Sequence, residues 1–134
     1  MTNQQIHVAV LGGPAEVPEL EAALGHNGFK LDRLASSEEL LHVLENSPVD
    51  IVLLILSKGH PERLALLSSE KLPVELPPII VLTDCFDVDL YVEALRRGAF
   101  DGLGVPVDRK ELLRVVRAAV AEGRSRRKVL AATA

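Results

Sequence analysis

Aromatic side chains are scarce in this 134-residue chain, which has no tryptophan, one tyrosine and three phenylalanines. The interior must therefore be built from Leu, Val, Ile and Ala. Few rings are available to stack on bases, which argues against single-stranded nucleic-acid binding. Cysteine is limited to Cys85, so no internal disulfide can form and a cytoplasmic location is the expectation. No apolar run approaches the roughly 18 residues that a membrane span needs. The opening Met1-Thr2-Asn3-Gln4-Gln5 lacks the basic-then-apolar order of a secretion signal. An excess of positive charge is missing too: the formal net charge is -4, which speaks against a domain wrapped around phosphate backbones. Neither nucleic acid nor membrane is expected as a partner of this domain.

What is present is enough for one domain with a real core, since 48% of the residues are hydrophobic and 25% charged. Apolar runs alternate with helical patterns along the whole chain. A first strand spans about Ile6 to Leu11 and is closed by Gly12-Gly13. The helix expected from Pro14 carries Val17, Leu20, Ala23 and Leu24 at helical spacing, and Gly25 and Gly28 punctuate its end. Phe29 to Leu34 reads as a weaker strand with Phe29, Leu31 and Arg33 on one side. Ser36 followed by Glu39 is a capping-box signal for a helix that stops before Pro48.

Ile51 to Leu56 is apolar without alternation, as a central parallel strand covered on both faces requires. A third helix is expected from Pro61 to about Ser69, then a loop from Pro73 to Pro78 and an apolar strand from Ile79 to Thr83. A helix from about Asp87 to Arg97 ends at Gly98, the residue preferred past a helix C-terminus. Phe100 to Val105 gives a short fifth strand, broken by Pro106. Asp108 and Glu111 repeat the capping pattern before a last helix carrying Leu112, Leu113, Val115, Val116, Ala119 and Val120. Five βα units in one direction call for an α/β fold with a parallel sheet and helices on both faces. Residues 1–123 form the domain. Residues 124–134, with Arg124, Arg126, Arg127 and Lys128, are a basic tail or the start of a linker. Favourable charge at a helix C-terminus explains such a cluster, and a docking segment is the alternative. An ending at Ala134 just past this cluster is read as a domain cut from something larger.

Between about residues 6 and 122 the chain resembles the receiver domains of bacterial two-component response regulators. Three segments carry the resemblance: Val49-Asp50-Ile51-Val52-Leu53-Leu54, Pro78-Ile79-Ile80-Val81-Leu82-Thr83, and Glu93-Ala94-Leu95-Arg96-Arg97-Gly98-Ala99-Phe100-Asp101, with Pro106 following. It implies a flavodoxin-like, doubly wound five-stranded parallel sheet of order 2-1-3-4-5. It also implies a chemistry. An acidic pair after the first strand and an acceptor Asp ending the third hold a divalent cation. The acceptor attacks a phosphoryl group, a lysine near the fifth strand neutralises the product, and a Ser or Thr ending the fourth strand hydrogen-bonds it.

Carried over position by position, that set is nearly all lost. The acidic pair falls on Gly12 and Gly13, the acceptor on Ile55 and the lysine on Val105, while Thr83 alone matches. The aromatic switch position in the fifth strand falls on Gly102. With nucleophile, cation ligands and counter-charge missing together, the expectation is a degenerate receiver that binds no metal or cofactor, is not an enzyme, and signals by protein–protein interaction. Ile55 and Val105 are expected as apolar contacts facing each other. Two rivals remain: a receiver phosphorylated at an unorthodox site, and a flavodoxin-like sensor of a small ligand at the sheet's C-terminal edge.

Gly12-Gly13 before a helix could form an anion-binding loop, but G-x-G-x-x-G spacing is absent, Pro14 removes a donor, and a structural turn reads better. Gly98, Gly102 and Gly104 read as a helix cap and close backbone packing. His7, His26, His42 and His60 lack ligand spacing for a metal. Asp84, Cys85 and Asp87 sit where open sheets bind ligands, or else cap the next helix. Leu90 and Tyr91, where receivers usually have polar or small residues, are either core or an apolar spot. That spot would lie on the face made by the fourth helix, fifth strand and fifth helix, which receivers use for self-association, partners or output. A downstream output domain is a further expected partner.

Overall fold

A computed structural model describes residues 5–12, 17–25, 27–57, 61–68, 76–84, 87–105 and 107–133. Five strands, β1 (Ile6–Leu11), β2 (Phe29–Leu34), β3 (Ile51–Ile55), β4 (Ile79–Asp84) and β5 (Asp101–Val105), form one parallel sheet. Their order is β2-β1-β3-β4-β5, the doubly wound arrangement that the alternating pattern calls for. The helices are α1 (Val17–Gly25), α2 (Ser37–Asn46), α3 (Pro61–Ala65), α4 (Val88–Arg96) and α5 (Arg109–Thr133).

Alternate residues of each central strand feed two separate cores. Val8, Val10, Ile51, Leu53, Ile55, Ile80 and Leu82 pack with Leu20 and Leu24 of α1 and with Leu112, Val115 and Val116 of α5. Ala9, Leu11, Val52, Leu54 and Val81 pack with Leu40 of α2 and Ala94 of α4. Because β3 and β4 are covered on both faces, they have no polar side to spare, which is why their sequences run apolar without alternation. Burying each of these large side chains contributes about 1.5–3 kcal/mol relative to exposure.

The helix punctuation follows the sequence closely. Ser36 accepts from the Glu39 N–H at 3.2 Å, and the Glu39 carboxylate accepts in return from the Ala35 N–H at 3.0 Å. Asp87 caps α4 by accepting from the Leu90 N–H at 3.2 Å. Gly98 then takes a φ of 108°, where a side chain would be strained. At α5 the pattern differs: the Asp108 carbonyl accepts from the Leu112 N–H, while the Glu111 carboxylate turns to Arg114.

Three boundaries depart from the sequence reading. The third helix is a short α-helix continued by a 3-10 turn over Leu66–Ser68. Phe100 precedes β5, though its N–H still bonds the Ile79 carbonyl at 2.7 Å. The last helix extends through Thr133, so the backbone of the basic cluster continues the helix. The start of the first helix at Pro14 and most of the Pro73–Pro78 loop lie outside the described residues.

At the N-terminal edge of the sheet, Asp50 extends the β1–β3 pairing by accepting from the His7 N–H at 2.9 Å. The His7 ring bridges the Pro48 carbonyl and the Asp32 carboxylate, and Arg124 of α5 reaches Asp50 at 3.8 Å. His42 meets Asn46 on α2; His26 and His60 lie outside the described residues. No described helix is long and apolar enough to cross a membrane.

Candidate functional site

Two places deserve description: the C-terminal edge of the sheet, and the face shared by α4, β5 and α5. At the first, Gly12 leaves β1 and Ile55 ends β3. A Cβ atom added at Gly12 would lie 2.4–2.6 Å from three atoms of the Ile55 side chain. Real Cβ contacts are never that short, so the Ile55 side chain already fills the volume that a residue-12 side chain requires. Ile55 is 6% exposed and belongs to the core beneath α1 and α5. Val105 is half-buried and packs against the same cluster, so the two sequence-chosen positions share one apolar environment. Gly13 and Cys85 lie outside the described residues.

Thr83 is 3% exposed on β4, paired opposite Gly104, with Asp84 opposite Val105. Asp87 caps α4, its side chain accepting from the Leu90 N–H. Among the described residues no group of three His, Cys, Asp or Glu side chains could hold a metal ion. Among the described residues, Arg63 is a charged side chain brought into this edge that the sequence pattern does not single out. It is 8% exposed, and its guanidinium donates to the Ile55 carbonyl at 3.0 Å. The only signal for it was position: Arg63 lies three and four residues before Leu66 and Leu67, on the side of the chain that faces inward. The fixed positive charge satisfies the last carbonyl of β3 and straps the third helix to the middle strand.

The second place is built by α4. Leu90 points down and packs against the core that contains Ala94. Tyr91, half-buried, lies over β5: a Cβ at Gly102 would sit 2.4 and 2.5 Å from Cε1 and Cδ1 of its ring. The most exposed large apolar residues of this helix are Val88, at 62%, and Val92, at 46%. They stand one turn apart, so they form a single strip next to Tyr91. Leu90 and Tyr91 are both partly exposed, and the sequence pattern does not single out the two valines, because apolar residues at several helical phases leave open which ones face in.

Some of the charges near the strip are paired locally. Arg97 donates to Glu93 at 2.9 Å, and Arg96 approaches it at 3.5 Å. The Arg97 hydrogen bond holds the Glu93 carboxyl below its ordinary 4.5. On α5 the Arg114 hydrogen bond does the same for Glu111, and Arg114 is in turn raised, with Asp101 of β5 adding to the field. An exposed apolar strip beside locally paired charge is suited to contact with another protein.

Among proteins of known character, no family model matches the chain. The DNA-binding transcriptional regulator NtrC of Escherichia coli K12 is 32% identical over 101 residues, which is 75% of this chain and 22% of that protein. The regulatory protein VirG of Agrobacterium tumefaciens is 29% identical over 94 residues, 70% of this chain and 35% of that protein. The chain thus spans about a fifth to a third of the length of these relatives. Among solved structures, the N-terminal signal receiver domain of a Bacteroides fragilis two-component response regulator matches with a TM-score of 0.74 at 25% identity, covering 86% of this chain and 97% of that one. The signal receiver domain of an HD domain-containing protein from Pseudomonas fluorescens shares the fold, with a TM-score of 0.77 at 21% identity and 96% coverage of both chains.

Proposed function

Because the chain is a receiver domain of the two-component response-regulator kind, we propose that it is one that takes no phosphoryl group and signals by protein contact. The observation that carries this reading is the packing of Ile55 into the place of a residue-12 side chain. A carboxylate nucleophile and its cation ligands need polar space between these strands, and here hydrocarbon fills it. Val105 supplies no positive charge to neutralise a phosphorylated product, and Arg63 spends its NH1 donor on the Ile55 carbonyl. None of Gly12, Ile55 and Val105 offers a carboxylate nucleophile, and the domain is therefore read as one that acts by binding.

Its output is then binding, and the strip of Val88 and Val92 beside Tyr91 and β5 is the contact surface. The relatives are regulators much longer than the aligned segment. The addressee is a second copy of the domain or a protein that carries an output function.

The test is direct. The purified chain is incubated with acetyl phosphate and Mg²⁺, then separately with beryllofluoride and Mg²⁺, beside a phosphorylatable receiver as control. Intact mass is expected to stay unchanged, and the melting temperature to be indifferent to millimolar Mg²⁺. A stoichiometric phosphoryl adduct, or a Mg²⁺-dependent rise in melting temperature, would refute the reading.

A further inference from the structure

We infer that Tyr91 is a fixed aromatic latch between α4 and β5, holding the contact face in one arrangement. The inference deepens the proposal that this face is the output surface, and rests on it for its biological meaning. Its physical content stands on the packing alone.

A glycine inside a strand is a weak point, because it has no side chain to pack and loses more backbone freedom on ordering than other residues. Gly102 is such a glycine, the second residue of β5 and paired with Val81 of β4. The ring of Tyr91 stands against it, with Cε1 and Cδ1 lying 2.4 and 2.5 Å from where a Cβ would be, and the Val81 Cγ2 atom closes the side at 3.1 Å. An aromatic ring from a neighbouring element resting on a strand glycine restores the missing packing. The seat and the ring are matched: only glycine at 102 leaves room for the ring.

The helix that carries the ring is fastened at both ends. Asp87 caps its start, and the Tyr91 N–H bonds the Asp87 carbonyl at 3.2 Å. At its end the Ala99 N–H bonds the Ala94 carbonyl at 3.1 Å, and the Phe100 N–H bonds the Ile79 carbonyl on β4 at 2.7 Å. Leu90 and Ala94 pin the underside to the core. Moving the ring off Gly102 would uncover the strand backbone and Val81 with nothing to replace the lost contacts. Val88 is three residues before Tyr91 and Val92 is next to it, so the seated ring also fixes where both exposed valines stand. The face is therefore always in its binding form, and partner occupancy follows concentration rather than a conformational signal.

The experiment is solution NMR of the whole chain without any ligand. The latch requires the Hα resonances of Gly102 to be displaced from their random-coil positions by the Tyr91 ring current. It also requires residues 88–105 to show no exchange broadening on the microsecond-to-millisecond scale. Tyr91→Phe keeps both signatures. Tyr91→Leu loses the ring-current displacement and introduces exchange in α4 and β5. Should that variant fail to fold, Gly102→Ala serves instead, since it displaces the ring and must give the same exchange. Unshifted Gly102 protons in the unaltered chain, or exchange there that Tyr91→Leu does not change, overturns the latch. A phosphoryl adduct with the Gly102 shift intact would overturn the proposed function alone.

Discussion

Ile55 and Gly12 pack as a single unit: the isoleucine side chain occupies the volume into which any side chain at residue 12 would project, at 2.4–2.6 Å from an added Cβ. The two residues come from different strands and are distant in sequence, yet neither can be changed alone at low cost. Gly12→Ala forces the buried Ile55 off its rotamer or the β1 end outward. Such overpacking costs about 1–3 kcal/mol. Combining it with Ile55→Ala makes room, so the double variant should be less destabilised than the sum of the singles, with a coupling of about 0.5–3 kcal/mol. Urea unfolding of the four chains measures this, and strictly additive values would show that the two sites do not share space.

Arg63 offers a second test at the same edge. Its guanidinium is buried and donates to the Ile55 carbonyl at 3.0 Å. A hydrogen bond from a charged donor contributes roughly 1.5–3 kcal/mol. Arg63→Met keeps much of the aliphatic bulk and removes the donor, so a loss of that size is expected in denaturant unfolding. A neutral or stabilising effect would mean that the desolvation cost of the guanidinium outweighs what the bond returns.

How much of this was legible in the sequence divides along a physical line. The sheet was readable because two strands buried on both faces, Ile51–Ile55 and Ile79–Asp84, must be apolar without alternation. The caps at Ser36 and Asp87 and the glycine at 98 were readable because they obey local geometry. That Gly12, Ile55 and Val105 offer no charged side chain at the strand ends is written in the sequence itself. What could not be read was whose side chain fills which gap. Tyr91 over Gly102, Ile55 over Gly12, and Arg63 on the end of β3 are tertiary relations, decided by how helices settle on the sheet. The same limit hid Val88 and Val92, since α4 has apolar residues at several phases and only packing selects the inner ones.

That selection gives a contrast between residues on one helix. Val88→Asp and Val92→Asp alter exposed positions, where substitutions typically move stability by no more than about 0.5 kcal/mol. Leu90→Asp puts a carboxylate against the core around Ala94 and should cost several kcal/mol. Self-association by analytical ultracentrifugation, or capture of a defined partner once one is in hand, should be lost with the two valine variants while their unfolding midpoints stay put. Retained association in Val88→Asp/Val92→Asp would remove α4 from the contact surface.

Acid should loosen the end of this same helix. The Arg97 hydrogen bond lowers the Glu93 carboxyl from its ordinary 4.5, with Arg96 adding to the effect. A carboxyl that is more acidic in the folded chain than in the unfolded one favours folding only while ionised. Its contribution is therefore complete above the ordinary value and disappears as pH falls through the lowered folded value. Glu93 is solvent-accessible, so the effect is small, screened by salt, and confined to the last turn of α4. The carboxyl carbon of Glu93, followed by NMR through an acid titration, should show a midpoint below 4.5. Arg97→Met should move that midpoint up, because the largest cause of the shift is removed. A wild-type midpoint at or above the ordinary value would mean that the ion pair at the end of α4 does not persist in solution.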